Sequence, residues 1–530
     1  MNFPAMTTAA RPSEPQTKKS TRPTARCRGA IQRWAMPCAA LVIMLSAVPP
    51  SLRAATTEHL ILLSPANGAR FAAGETIRVS AEASFLNARN AIVEFFANDQ
   101  SLGMSSGNPA TFDWTNVGIG EYCIVAEAIL GARRLRTAVV TIHVVQLEPR
   151  LFGGATAVTS FASDSLGNVQ GWGLNDFGQL GTGVAGPTPS PQPVLFPAGV
   201  TSWKSIAIGR DFTLFLSPEG QLYACGLNQF GVLGNGTADL DPHPVLAPVP
   251  RPADVERWMA IAAGSYHAVA IDGRGRVFAW GGNQYGALGQ DNPNEEPLLL
   301  PTPVHLPSTV RFSAVTAGYS HTLALAENGQ IYSWGYCDAG QLGRGTLEND
   351  SKPGLVTLPP GTTKWTAIAA GYQRSMALAD DGQIYSWGNN SFGQLGTGTF
   401  EAIAATTPVA SVTPSGAGGW IWFASGAEHV FALARNGVLY AWGRNDGGQL
   451  ADNSPVTVRP WGVTVPQAVP LPAGTTRWVL ATAGNSHSLL LADDCRVYSC
   501  GLNVYGELGT EQTGDFGPLA PISALDLCQP

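Results

Sequence analysis

The stretch WGLNDFGQLG at residues 172–181 returns as CGLNQFGVLG (225–234), WGGNQYGALG (280–289), WGYCDAGQLG (334–343), WGNNSFGQLG (387–396), WGRNDGGQLA (442–451) and CGLNVYGELG (500–509). The second residue of each copy is a glycine: Gly173, Gly226, Gly281, Gly335, Gly388, Gly443 and Gly501. Successive spacings are 53, 55, 54, 53, 55 and 58 residues. Three further landmarks hold register with that glycine. Six residues before it stands a turn residue, Gly167, Gly220, Gly275, Gly329, Gly382 and Gly437, replaced by Cys495 in the last copy. Seventeen before it come Gly209, Gly264, Gly318, Gly371, Gly426 and Gly484, where the first copy has Thr156. Six before those come Trp203, Trp258, Phe312, Trp365, Trp420 and Trp478. Four landmarks in fixed register define a structural repeat.

Between the landmarks lie short β-type runs. HTLALAENGQIYSWG (321–335) is typical: two apolar segments flank Asn328-Gly329, a hairpin signal because both central residues favour φ > 0. A strand around 365–368 and an outer run typified by 303–306 bring each unit to four strands. Four-stranded units of about 54 residues read as propeller blades, whereas helical repeats carry a 3.6-residue periodicity that is missing here.

The copies resemble the regulator-of-chromosome-condensation repeat in their Trp-Gly-x-Asn, Gly-Gln-Leu-Gly and Ala-Gly-x-x-His elements, and the resemblance covers residues 150–530. It implies an all-β chain with a seven-bladed β-propeller, assigned to residues 147–530. It also implies the family's namesake activity, guanine-nucleotide exchange on a Ran-type GTPase with chromatin binding, as one alternative. The family includes secreted propellers that inhibit β-lactamases, so enzyme inhibition is another. The outer run at 193–194 recurs at 521–525 after the last core. If that run opens the following blade, the C-terminal strand closes the ring beside blade 1.

Residues 1–55 are of a different kind. Lys18, Lys19, Arg22, Arg26, Arg28 and Arg33 precede an apolar stretch at 39–48, followed by Pro49, Pro50, Ala54 and Ala55. That order is a secretory signal peptide behind a long basic leader; a start at Met36 fits the same pattern. The apolar run is about ten residues, against the roughly 20 of a spanning helix, so membrane contact is expected only if the leader stays uncleaved. Secretion or cell-surface display is the expectation. A formal charge of −7, with Lys and Arg scarce beyond residue 136, leaves no basic face for phosphate backbones, so no nucleic acid partner is expected.

Residues 56–146 lack the repeat but show strand-like alternation at 75–79, 92–96, 122–126 and 139–144, punctuated by Asn67-Gly68 and Gly118 to Gly120. The pieces SPANGARFAAGETIRV, VEFFANDQSLG and FDWTNVGIGEYCIVAEA resemble bacterial immunoglobulin-like modules, which implies an N-terminal immunoglobulin-like β-sandwich. Cys123 is the only cysteine between residues 56 and 146, so the inter-sheet disulfide of antibody domains is excluded.

Catalytic chemistry requires a nucleophile, a base and an orienting group within reach of one another. The string Gly181, Gly183, Gly186 has phosphate-loop spacing but no helix after it. His267, His321, His429 and His487 occupy one blade position, where the other copies have Thr159, Phe212 and Arg374. A catalytic histidine is needed once, so recurrence points to a structural hydrogen bond and to no metal or catalytic role. The carboxylate pairs Asp380-Asp381, Asp493-Asp494 and Glu295-Glu296 read as solvated turn residues.

Phe177, Phe230, Tyr285, Phe392 and Tyr505 stand at one position before the Gly-Gln-Leu-Gly element, with Tyr336 nearby in the fourth copy. They either wedge the blade loops together or form a ring of anchors for a protein partner, the residue type that dominates binding hot spots. The most divergent connections are 237–250, 290–301, 399–407 and 453–465, expected at the periphery or on a face. Cys495 and Cys528 flank the closing strand, and a disulfide between them would lock the ring. The sequence thus describes an all-β scaffold, with no enzyme activity and no cofactor, that binds a protein partner through propeller loops. A carbohydrate-acting enzyme would need carboxylates and stacking aromatics converging on one face.

Overall fold

The computed structural model describes residues 59–527 apart from 73–75, 85–91, 116, 118–119, 131–132, 146–148, 292–294, 401–404 and 454–460. The leader and Cys528 lie outside the described residues. The chain forms two compact units.

In the larger unit each repeat becomes one four-stranded antiparallel sheet, contiguous in sequence. Blades 1 to 7 span 150–193, 205–248, 258–303, 312–355, 365–410, 420–468 and 478–526. Blade 4 shows the pattern: Phe312–Ala317, His321–Ala326, Ile331–Gly335 and Asp350–Leu355 pair in that order. Its second and third strands are buried along their whole length, while the first and fourth are only partly so. Apolar residues on both sides of a strand fit a sheet stacked between two neighbours. Because the meander is antiparallel, the connections between strands 1–2 and 3–4 share one face of the ring, here the front. The 2–3 hairpins and the linkers between blades share the back.

The repeat glycine marks where the third strand leaves the ladder. Gly335 has φ +103°, and a Cβ there would meet the Ser320 carbonyl oxygen at 2.5 Å. Its counterparts have φ between 95° and 109°. Both the left-handed backbone and the close approach demand glycine.

Two expectations are corrected. The Asn-Gly hairpin keeps positive φ only at glycine: Gly329 has φ +83°, while the Asn328 carboxamide oxygen accepts from Gln330 N–H at 3.0 Å. A turn of both-positive type occurs instead in the other unit, at Asn98 (φ 50°) and Asp99 (φ 64°). The outer Pro-rich run does not open the next blade; it is the fourth strand of its own blade, so Gly514–Asp526 completes blade 7. The ring closes by packing between blades 7 and 1. Ile522, Leu525 and Leu527 join Ala162 and Trp172 in one buried cluster. Ser165 N–H donates to the Leu527 carbonyl at 3.1 Å, and Asn485 N–H to Ala157 at 2.8 Å. Cys495 is disulfide-bonded and sits in the left-handed region at φ 67°, filling the turn position that glycine holds elsewhere.

The smaller unit is the expected sandwich. His59–Ser64, Ile77–Ser84 and Ala110–Trp114 make one sheet in that order. Val140–Val145, Gly120–Leu130, Ile92–Ala97 and Gln100–Ser106 run in order through the other. Ile77, Val79, Phe95 and Ile124 are fully buried, as period-two alternation requires.

Truncation before residue 519 removes the three buried aliphatic side chains of the closing strand, each worth about 1.5–3 kcal/mol. The expected outcome is a large fall in the Tm of the propeller by circular dichroism; an unchanged transition would show that the blade 7 outer strand does not hold the ring.

Candidate functional site

The histidines that recur at one repeat position lie inside the ring. His321 is fully buried, and its Nε2 is 3.0 Å from Ser375 Oγ of the next blade. Ser375 Oγ donates in turn to the Gln341 carbonyl at 2.8 Å, and Trp387 Nε1 donates to the same oxygen at 2.9 Å. The hydroxyl spends its proton on the carbonyl, so it accepts from a histidine Nε2–H. His267 with Thr322, His429 with Ser488, and His487 with Ser160 repeat the clasp at 2.8–2.9 Å. In two of the three other copies the facing residue changes as well, while Thr159 still faces a hydroxyl, Thr213. Phe212 corresponds to an Ala268 where the hydroxyl would stand. Arg374 corresponds to Val430, and its guanidinium reaches the Gln394 carbonyl directly at 2.8 Å. All four histidines are buried.

The aromatic set separates into groups on the front face. Tyr285 and Tyr336 pack at 4.5 Å between ring centres, and the Tyr336 hydroxyl donates to Asp338. Phe392 packs on Trp461 at 5.4 Å, with the Arg444 guanidinium 4.9 Å from its ring centre. Tyr505 is 43% exposed, and the Phe177 carbonyl accepts from His243 N–H of blade 2. Phe230 belongs to a larger arrangement. It meets Tyr266 edge-on at 5.4 Å; Tyr266 meets Tyr319 at 6.1 Å, and Tyr319 meets Tyr372 at 4.6 Å. Arg210 hydrogen-bonds the Tyr266 hydroxyl. Burial pushes the Tyr372 hydroxyl upward, and the charge and hydroxyl of Tyr319 add to the effect.

Sequence reasoning missed Tyr266, Tyr319, Tyr372 and Arg210. They occupy the two variable places of the Ala-Gly-x-x-His element, beside the ring centre. The signal was available: these places vary while both flanks repeat. The long divergent connections instead run from third into fourth strands, away from the first strands; residues 292–294, 401–404 and 454–460 within them lie outside the described residues.

Beside Tyr266 a narrow cleft opens between blades 2 and 3, lined by Asp211, Phe230, Ser265 and Tyr266 among others. Burial raises the Asp211 carboxyl above its ordinary range; Arg210 opposes that, and the nearby Asp176 reinforces it. Among the described residues acidic side chains outnumber basic ones on the front face; Asp176, Asp211, Asp239, Asp338, Glu428 and Asp446 are some of them, against Arg210, Arg344 and Arg444.

Matches to known families follow this geometry. The RCC1-like domain model matches residues 256–523, and the regulator of chromosome condensation (RCC1) repeat matches 167–216 and 219–271. The chain belongs to the RCC1-like family. A bacterial Ig domain model matches residues 60–129 of this RCC1-like chain. The ultraviolet-B receptor UVR8 of Arabidopsis thaliana is 30% identical over 370 residues, 68% of the chain and 79% of that protein. The E3 ubiquitin-protein ligase HERC2 of Homo sapiens is 31% identical over 354 residues, 64% of the chain but 7% of that protein. In fold, human WBSCR16 has a TM-score of 0.59 at 24% identity, covering 67% of the chain and 94% of that structure. Prp20p of Saccharomyces cerevisiae has 0.58 at 24% identity, covering 67% and 86%.

The clasp makes two predictions. His321→Ala removes the donor to the Ser375 hydroxyl, which keeps its bond to the Gln341 carbonyl, and leaves the imidazole's buried space empty, so it should destabilise the ring by about 1–3 kcal/mol. His321→Phe with Ser375→Ala, which copies the Phe212 and Ala268 pair, should recover most of that in urea melts. Burial lowers His267 and His487 to about 4, and His321 and His429 to about 3, from 6.5. Between those values the unfolded chain binds protons that the ring does not. Their stabilising contribution is full above pH 6.5 and is lost as pH falls toward the folded values. Tm should therefore drop steadily from pH 7 to pH 4, and a flat profile would contradict it.

Proposed function

We propose that this RCC1-like chain is an exported, non-catalytic scaffold whose propeller binds a protein partner through the centre of its front face. One observation carries the reading: Phe230, Tyr266, Tyr319 and Tyr372 form a continuous aromatic arc over blades 2 to 5, on variable positions of an otherwise repeating and internally locked ring. Tyrosine and arginine dominate protein-binding hot spots because each offers a large contact area with a polar end. A rigid platform leaves little ordering to be done on association. The leader supports export, and the immunoglobulin-like module would serve as a spacer. Prp20p, a relative in fold, is described with binding to Gsp1p and histones, which supports a protein as the class of partner.

Affinity capture on the intact protein, from culture supernatant and cell surface, tests this. Tyr319→Ala with Tyr372→Ala should reduce recovery of the captured partner at least about tenfold, since hot-spot truncations cost about 2 kcal/mol or more, with Tm nearly unchanged. Undiminished capture by the double variant would remove the front face from the reading.

A further inference from the structure

We propose that the cleft between blades 2 and 3 receives the ammonium end of a lysine side chain from the partner, so that the docking surface presented to the front face is cationic. The inference rests on the reading of the front face as a protein-docking surface and specifies the chemistry of what docks.

Three features of the cleft converge on a cation. Asp211 supplies a half-buried carboxylate, and its one close basic neighbour is a loose contact, Arg210 Nε at 3.6 Å. A terminal nitrogen of Arg210 donates instead to the Tyr266 hydroxyl. Phe230 and Tyr266 meet edge-on at 5.4 Å beside that carboxylate; the Arg210 guanidinium lies 5.7 Å from the Tyr266 ring centre, so the Phe230 ring is the aromatic surface from which an entering cation gains. Ser265, 2% exposed, lines the same cleft with a buried Oγ that has no hydrogen-bond partner. A buried hydroxyl left unsatisfied is unfavourable, and a donor entering the cleft would satisfy it. An ammonium brings three donors and offers no acceptor, which suits a carboxylate and a lone hydroxyl together.

Size selects among cations. The cleft has room for about one water-sized group, which suits a compact ammonium better than the larger planar guanidinium of arginine. The surroundings agree with the charge: Asp176 lies near enough to raise Asp211, and the acidic surplus of the front face favours approach of a basic surface. A lone lysine head would be a weak ligand. Held by contacts on the tyrosine arc, it becomes the residue that sets register.

The test uses the intact protein with acetylated octalysine, octaarginine and octaglutamate peptides, measured by isothermal titration calorimetry at low and moderate salt. Octalysine should bind, octaarginine more weakly by about tenfold, and octaglutamate not at all. Asp211→Asn keeps shape and should weaken octalysine by at least about tenfold; Ser265→Ala should weaken it severalfold. Glu327→Gln, on a back-face hairpin, should change nothing. Octalysine binding within twofold of wild type for Asp211→Asn, equal binding of octaarginine, or no binding of octalysine would each overturn the assignment. The capture experiment separates the two claims. If Tyr319→Ala with Tyr372→Ala abolishes capture while Asp211→Asn leaves it intact, the docking face stands and the lysine cleft falls.

Discussion

One carbonyl oxygen per blade interface organises the ring. In the Gly-Gln-Leu-Gly loop the residue before leucine turns its carbonyl inward, where it takes a hydroxyl, an indole N–H, a thiol or a guanidinium N–H. Ala287, Gln341 and Glu507 each receive both a hydroxyl and an indole N–H from the following blade. Buried carbonyls with two lone pairs demand such partners, and the tryptophans that answer them are fully buried. Each bond is worth only about 0.5–1.5 kcal/mol net, but its loss would orphan several groups at once. Flat sheets can slide; a sheet keyed to its neighbour at a single oxygen cannot. The ring's rigidity follows from that repetition, and so does its tolerance of variation in loops that the clasp does not use.

The landmarks read from sequence correspond to the clasp's parts. The tryptophan and glycine of Trp-Gly-x-Asn donate the indole and turn the strand out of the ladder. The glutamine of Gly-Gln-Leu-Gly caps its own loop, as Gln394 Oε1 does for Phe392 N–H at 2.8 Å. Where the last copy substitutes Glu507, burial lifts its carboxyl to about 7, so its contribution runs opposite to that of the histidines, being lost as pH rises through that value. The exceptions are also informative. Arg374 in place of histidine faces Val430, and Phe212 faces Ala268, so at these two interfaces the residue that needs no hydroxyl meets none; Thr159 still faces Thr213.

What the front face does depends on residues the clasp leaves free. The two variable places of the Ala-Gly-x-x-His element hold Arg210, Asp211, Tyr266, Tyr319 and Tyr372, and the ring's curvature brings them side by side although about 50 residues separate neighbours in the chain. Their contacts cross blade boundaries, so they combine into one surface rather than several. The acidic surplus and the Ser265 hydroxyl lie within that surface.

The repeat by itself determined the number of blades, the four strands each carries and the structural role of the histidines, because copies can be counted and the core of each unit is set by periodicity and by a glycine that no other residue can replace. Tertiary structure decided which unit owns the outer strand, since a Pro-rich run between two cores is equally close in sequence to both and only pairing with its own third strand resolves it. It also decided the composition of the front face. Tyr266, Tyr319 and Tyr372 are unremarkable one at a time, and only closure of the ring, which no local pattern encodes, turns three separate loop residues into one aromatic surface.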